Sequence, residues 1–253
     1  SQPAGFVFLT GLLCGYPMGA KMDRDLLERG QISWEEACYL LSICNHPSPM
    51  FLTGYTVMEG QKLLPPSIKF LPLHFSYLPV FPISYLARHY YDKKSKKNRK
   101  IRPSVWSGVS HTAPISSFSL DEHLMSCLET MEKIGLYIML FSILSLYLFK
   151  LPLPGPDLFK PALMGFLEIT TGIRNICEHA SGLSGLLLVT ASVSFGGISG
   201  IFQTRSVLMR NSGRKNAGLS IRHYIFWKAL HSLLSCIFLL ILWKLYASSF
   251  FSS

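Results

Sequence analysis

Cys14-Gly15-Tyr16-Pro17-Met18-Gly19-Ala20-Lys21 decides how the chain is to be read. It follows directly on the apolar run 6–13 and interrupts it with two glycines and a proline. Glycine loosens a helix, and proline removes an N–H and clashes with the preceding turn, so a helix entering here stops or unwinds. In water such a stretch is an ordinary helix end. In a bilayer, freed backbone groups are tolerated only where protein buries them or water reaches them, so the same stretch becomes a candidate lining for a polar cavity.

The composition selects the bilayer. The 253 residues are 49% hydrophobic and only 15% charged, with a mean hydropathy of +0.32, too apolar for an ordinary soluble domain. Runs at 68–90, 134–153, 183–202 and 224–246 reach the roughly 20 residues that a spanning helix needs. The chain is therefore expected to be an all-α, polytopic membrane protein whose first partner is the lipid bilayer. Its formal net charge of +10 is concentrated in two connectors, the denser being residues 93–102. Beside a membrane run, such a cluster reads as a cytoplasmic connector and not as a nucleic-acid site. The six cysteines show no CxxC pair and no metal-ligand spacing, so they read as packing residues and no metal is expected.

A second broken stretch, Gly196-Gly197-Ile198-Ser199-Gly200-Ile201-Phe202-Gln203, follows the apolar run 186–195. Both breaks read as an apolar run, a glycine, three residues, another glycine, then a side chain capable of strong polar contacts. Each is followed by a basic connector holding a Gly and an Ile-Ser or Leu-Ser pair, at 30–33 and 218–220. The two are expected to be corresponding positions of two repeats in one transmembrane domain. The first repeat falls within residues 1–91, a cytoplasmic basic loop and surface helix occupy 92–133, and the second repeat occupies 134–253. The chain begins without Met and with an apolar run already under way, which points to a missing upstream membrane portion.

Ser33 with Glu36 forms a capping box for a helix over 34–43. That helix runs into Cys44-Asn45-His46-Pro47-Ser48-Pro49, whose prolines forbid a continuous helix and leave carbonyls free to face a ligand or ion. Asn45 and Ser48 can hydrogen-bond there without bringing a charge into the membrane, while His46 reads as a capped or interfacial histidine. The run 68–90 contains Pro72, Pro79 and Pro82 and should be kinked; 103–118 reads as a loop and 120–134 as an amphipathic surface helix.

Glu168 is the strongest single candidate, since a carboxylate within an apolar segment is costly unless it faces the protein interior or water. If 158–179 crossed the membrane fully, three crossings would separate the two basic connectors and put them on opposite sides. A re-entrant hairpin with Glu168 near its tip keeps both in the cytoplasm. Broken helices, a re-entrant segment and inverted repeats are the recurring parts of a secondary transporter. No HExxH, GxSxG or paired intramembrane aspartates argue for an enzyme, and no GxxxxGK[ST] for ATP binding or another cofactor.

GYPMGAK at 15–21, CNHPSPMF at 44–51, FLEITTGI at 166–173 and GGISGIFQT at 196–204 together resemble the sporulation integral membrane proteins of the nucleoside-recognition Gate-domain type. The resemblance spans most of the chain apart from its loops; residues 55–60 depart from the glycine-rich pattern of the family. It implies a multi-pass carrier in the outer forespore membrane, or cell membrane, of an endospore-forming bacterium, moving dipicolinate toward the forespore. A small planar dianion needs donors at two carboxylates and flat contact for its ring. The glycine turns from Gly15 to Gly19, bent by Pro17, and from Gly196 and Gly197 to Gly200 offer backbone N–H donors. Lys21, Asn45, Ser48, Ser199 and Gln203 add side-chain donors, and Tyr16 a face and a hydroxyl. Glu168, with Thr170 and Thr171, is assigned to a coupling proton or cation. The alternatives are a carrier of nucleosides or another small aromatic acid, or a non-transporting membrane scaffold for sporulation; a homo-oligomer is compatible with each.

Overall fold

The computed structural model describes residues 2–59, 71–101, 120–152, 154–209 and 219–251. All regular elements among them are helices. The first apolar run forms α1 (Gln2–Cys14), which ends where Gly15 takes the left-handed φ of 75° that side chains disfavour. Pro17, cis to Tyr16, then starts the turn into α2 (Met18–Glu28). The chain folds back here: a Cβ placed on Gly11 would lie 3.2 Å from the Gly19 Cα. In one continuous helix, positions eight apart would be separated by about 12 Å. α1 and α2 therefore make a tight helical hairpin.

That hairpin closes on the end of α3 (Trp34–Ile43). The predicted cap is present, the Ser33 hydroxyl accepting from the Glu36 N–H at 3.1 Å. At the other end of α3 the Cys44 carbonyl oxygen sits 1.8 Å from a Cβ built on Gly11 and 2.4 Å from one built on Gly19, so neither position admits a side chain. Without a hydrophobic drive between helices in lipid, such small-residue contacts are what bring backbones together. Residues 44–48 are not helical, and the Ser48 side chain caps α4 (Pro49–Phe51) by accepting from the Phe51 N–H at 3.2 Å. A π-helical stretch, Leu52–Thr56, leads to α5 (Val57–Glu59).

The expected kink at Pro79 separates α6 (Leu71–Tyr77) from α7 (Val80–Ile101). α7 carries straight through residues 93–101, so the basic run continues a helix where a loop was expected; 103–118 lies outside the described residues. α8 (Leu120–Lys150) is unbroken, so the expected surface helix and the span after it are one element. Only 11% of its most apolar window is buried, which leaves most of its circumference to lipid.

The second hairpin is the one that the charge pattern called for. α9 (Phe159–Leu167) and α10 (Ile169–His179) meet at the single extended residue Glu168, φ −145° and ψ 123°. A Cβ on Gly172 would lie 2.1 Å from the Gly165 Cα, so these helices too are folded flat against one another. At about 1.5 Å per residue each covers roughly half of a ~30 Å hydrocarbon core. α11 (Gly182–Phe195) and α12 (Gly197–Leu208) are instead parts of one 27-residue span, 61% buried over its most apolar window and hence central. Gly196 interrupts them with φ 84°. α13 (Ile221–Phe251) closes the chain.

The order hairpin, interrupted segment, long helix thus occurs twice, once over α1 to α7 and once over α9 to α13. This corrects the correspondence suggested by glycine spacing. Residues 15–19 form a hairpin tip whereas 196–200 form an in-line break; the counterpart of the first hairpin is α9–α10, and that of the Gly196 break is the Asn45–Pro49 stretch.

Candidate functional site

The two breaks and the two hairpin tips converge on one cavity of about 150 Å³. Gly15 and Tyr16 come from the first tip, Ser48 from the first break, Glu168 and Thr170 from the second tip, and Gly196, Ser199 and Gln203 from the second break. Phe51 from α4 and Ile134 and Ile138 from α8 add apolar surface. A cavity of this volume holds about one benzene-sized ring.

Backbone contacts lock the tips to the breaks. The Tyr16 N–H donates to the His46 carbonyl at 3.1 Å. A Cβ on Gly197 would lie 3.2 Å from the Leu167 carbonyl oxygen, which places the second tip beside the second break. The halves meet across the Tyr16 ring, which lies 3.8 Å from a Cβ built on Gly196 and 3.2 Å from one on Gly200.

Glu168 is 1% exposed and caps α10, its carboxylate accepting from the Thr171 N–H at 2.8 Å, from the Thr170 hydroxyl, and from the Ser142 hydroxyl of α8 at 3.4 Å. The Thr171 hydroxyl in turn donates to Ser142 at 3.1 Å. Gln203 donates to the Ser199 hydroxyl at 3.1 Å, one turn of α12 away. The cavity lining thus offers hydroxyls, an amide and a carboxylate.

Other expected site residues lie elsewhere. Lys21 points away from the cavity, its Nζ donating to the Ser126 carbonyl and hydroxyl, each at 3.2 Å, and to the Thr130 hydroxyl at 3.0 Å. It straps α2 to α8, because a lysine one turn beyond the tip of a hairpin leaves on the outer face. Gly19 packs on the Cys44 carbonyl, and Pro17 and Gly197 shape their turns without lining the cavity. Asn45 is 1% exposed and lies behind the lining, donating to the Thr204 hydroxyl at 2.8 Å and the Tyr224 hydroxyl at 2.9 Å. It ties the first break to α12 and α13. Asn45→Ala should therefore lower the melting temperature by about 2–8 °C, the effect of one to two lost buried hydrogen bonds, measured in detergent. An unchanged melting temperature would remove this tie from the architecture.

The sequence reading missed Ser142, Thr204 and Tyr224, polar residues in helices whose surroundings are apolar and which no local break marks. His46 is neither capped nor interfacial: it is 3% exposed and neither ring nitrogen has a hydrogen-bond partner.

Three apolar helices of spanning length among the described residues, with two hairpins and two broken segments around a polar cavity, define a multi-pass integral membrane protein of all-α architecture. The sporulation integral membrane protein YlbJ of Bacillus subtilis (strain 168) is 26% identical over 271 aligned positions covering 95% of this chain. The chain spans 64% of that relative's length. No protein-family model and no solved structure matches the chain.

Proposed function

We propose that the protein is a carrier of dipicolinate, acting in a membrane of the developing endospore. The observation that carries this reading is the convergence of both hairpin tips and both broken segments on one half-open cavity. That is the arrangement by which secondary transporters hold a substrate where two sets of half-helices meet. The sporulation context is supported by the relative and by the Gate-domain resemblance of the motifs that build the cavity. A volume of about 150 Å³ suits one ring better than a nucleoside's base and sugar together.

In this reading the Tyr16 and Phe51 rings flank the substrate ring, and Ser48, Ser199 and Gln203 donate to its carboxylates. Glu168 would repel a dianion if it were ionised beside it. It therefore holds a proton or cation that travels with, or exchanges against, the substrate.

Uptake of radiolabelled dipicolinate into vesicles containing the full-length protein tests the reading. Uptake above that of vesicles bearing an unrelated membrane protein, outcompeted by unlabelled dipicolinate and not by nucleosides, is expected. Competition by nucleosides instead would move the substrate to that class. Binding and uptake of neither by folded, inserted protein would favour a scaffold.

A further inference from the structure

Behind the cavity lining, three basic side chains share a compartment that the carrier reading does not use. Lys228 and His231 lie one turn apart on α13 and are 3% and 1% exposed, and His46 of the first break is equally hidden at 3%. The His46 and His231 rings are in contact, tilted by 38° with centroids 4.5 Å apart. His231 Nε2 is 2.8 Å from the Ser76 carbonyl oxygen, and Lys228 Nζ donates to the Ser194 carbonyl at 3.3 Å. Among the described residues, no carboxylate forms an ion pair with Lys228.

The compartment is also short of partners. Both nitrogens of His46, Nδ1 of His231, the Asn45 side-chain oxygen and the Ser194 hydroxyl are buried without a hydrogen bond. Native interiors leave few such atoms, and each is costly. Apolar side chains of similar size would fill this space at lower cost, so packing alone gives no reason for two imidazoles and an amine. Residues of this kind inside a membrane protein mark ion pathways and proton relays. The other titratable groups facing the compartment are the Cys44 thiol at the end of α3 and the Tyr224 phenol. Cys44 is electrostatically coupled both to Lys228 and to Asp23 of α2, itself 0% exposed with no hydrogen bond to either carboxylate oxygen.

Its position connects it to the cavity. His46 precedes Pro47 and Ser48, which line the cavity, and Lys228 holds the carbonyl of Ser194, two residues before the lining Gly196. The described lining contains Glu168 and no Lys or Arg, so a side-chain cation that balances an anion there sits outside the lining. We propose that His46, His231 and Lys228 form a buried proton-binding compartment that is loaded when an anion occupies the cavity and unloaded when it leaves. This rests on the anion-carrier reading. The proton passes from water to a nitrogen lone pair and returns to water, no other bond being made or broken.

The test uses the full-length protein in lipid nanodiscs, labelled with ¹⁵N-histidine and titrated with and without dipicolinate between about pH 5 and 9, the range in which histidine charge changes act. His46→Gln and His231→Gln assign the signals. The His46 and His231 signals should take up their proton at a higher pH with dipicolinate bound than without it. Lys228→Met should displace their midpoints by about one pH unit or more, the size of a neighbouring-charge effect. His46→Gln should displace that of His231 in the same way, which keeps the test open if Lys228→Met does not fold. Imidazoles that hold one state throughout and ignore both substitutions would overturn the proposal. In parallel, an imposed pH gradient should stimulate dipicolinate uptake severalfold by the parent and not by Lys228→Met. Titration without any dipicolinate uptake would retain the compartment and sink the substrate reading, whereas uptake without titration would do the reverse.

Discussion

Adding one methyl group at Gly172 or at Gly11 should leave little or no folded protein. At Gly172 the new Cβ would lie 2.1 Å from the Gly165 Cα and 2.4 Å from its nitrogen; at Gly11 it would lie 1.8 Å from the Cys44 carbonyl oxygen. Each neighbour is backbone inside or at the end of a helix, so no rotamer change relieves the clash and the hairpin has to open. Overpacking of an ordinary core costs about 1–3 kcal/mol. A backbone-to-backbone collision exceeds that and consumes much of a total stability of about 5–15 kcal/mol. Gly5→Ala and Gly135→Ala are the matched controls, because nothing lies within 4 Å of a Cβ at either position. They replace a helical glycine by a better helix former and should leave stability unchanged or raise it by up to about 1 kcal/mol. Fluorescence-detected size exclusion and melting curves of the four variants decide the matter. A Gly172→Ala protein that elutes and melts like its parent would show that α9 and α10 do not lie flat on one another.

The second large effect is expected at Glu168, where shape and charge can be separated. Glu168→Gln keeps one oxygen able to accept from the Thr171 N–H, so the cap of α10 and the hairpin tip survive with a loss of about 1 kcal/mol or less. The ionisable group is removed from the cavity wall. If it holds the coupling proton or cation, uptake should fall at least about tenfold, corresponding to a barrier higher by ~1.4 kcal/mol, and its remaining pH dependence should flatten. Glu168→Ala also removes the acceptor shared by Thr170, Thr171 and Ser142, and should lower the melting temperature as well. Equal uptake by Glu168→Gln and its parent at every pH would confine Glu168 to helix capping.

The membrane class, the kink at Pro79, the cap at Ser33 and the hairpin around Glu168 were legible because each depends on local chemistry or on charge counting along the chain. The other hairpin was not. Proline and glycine in 15–19 announce a break, but whether a broken helix turns back or runs on depends on the small residues facing across the turn. The decisive pair, Gly11 with Gly19, becomes informative only when the Cys44 carbonyl is known to lie between them. Spacing alone consequently matched a hairpin tip to an in-line break. The site shows the same division. Gly15, Tyr16, Ser48, Glu168, Gly196, Ser199 and Gln203 lie together in the lining because they sit in or beside breaks, and breaks are what line the cavity. Lys21 lies outside the lining because the direction of a long side chain at a hairpin is set by the hairpin's rotation. Lys228 and His231 were passed over because a single apolar run hides a polar stripe until the helix is packed.

The Tyr16 ring, seated over Gly196 and Gly200, has a mechanical consequence. Where helices interlock by knobs and grooves, a displacement of an ångström forces side chains through unfavourable rotamers. Here a flat ring rests on a surface without side chains at those two positions, and a small slide meets no rotamer barrier there. The first hairpin is fastened to its own half by the Tyr16 N–H to His46 bond and by the Cys44 carbonyl clasp. At its tip it presents a bearing toward the other half, while the Arg24 guanidinium, donating to the Val207 carbonyl at 2.7 Å, holds the body of α2 against α12, so movement is confined to the tip at the wall of the cavity itself.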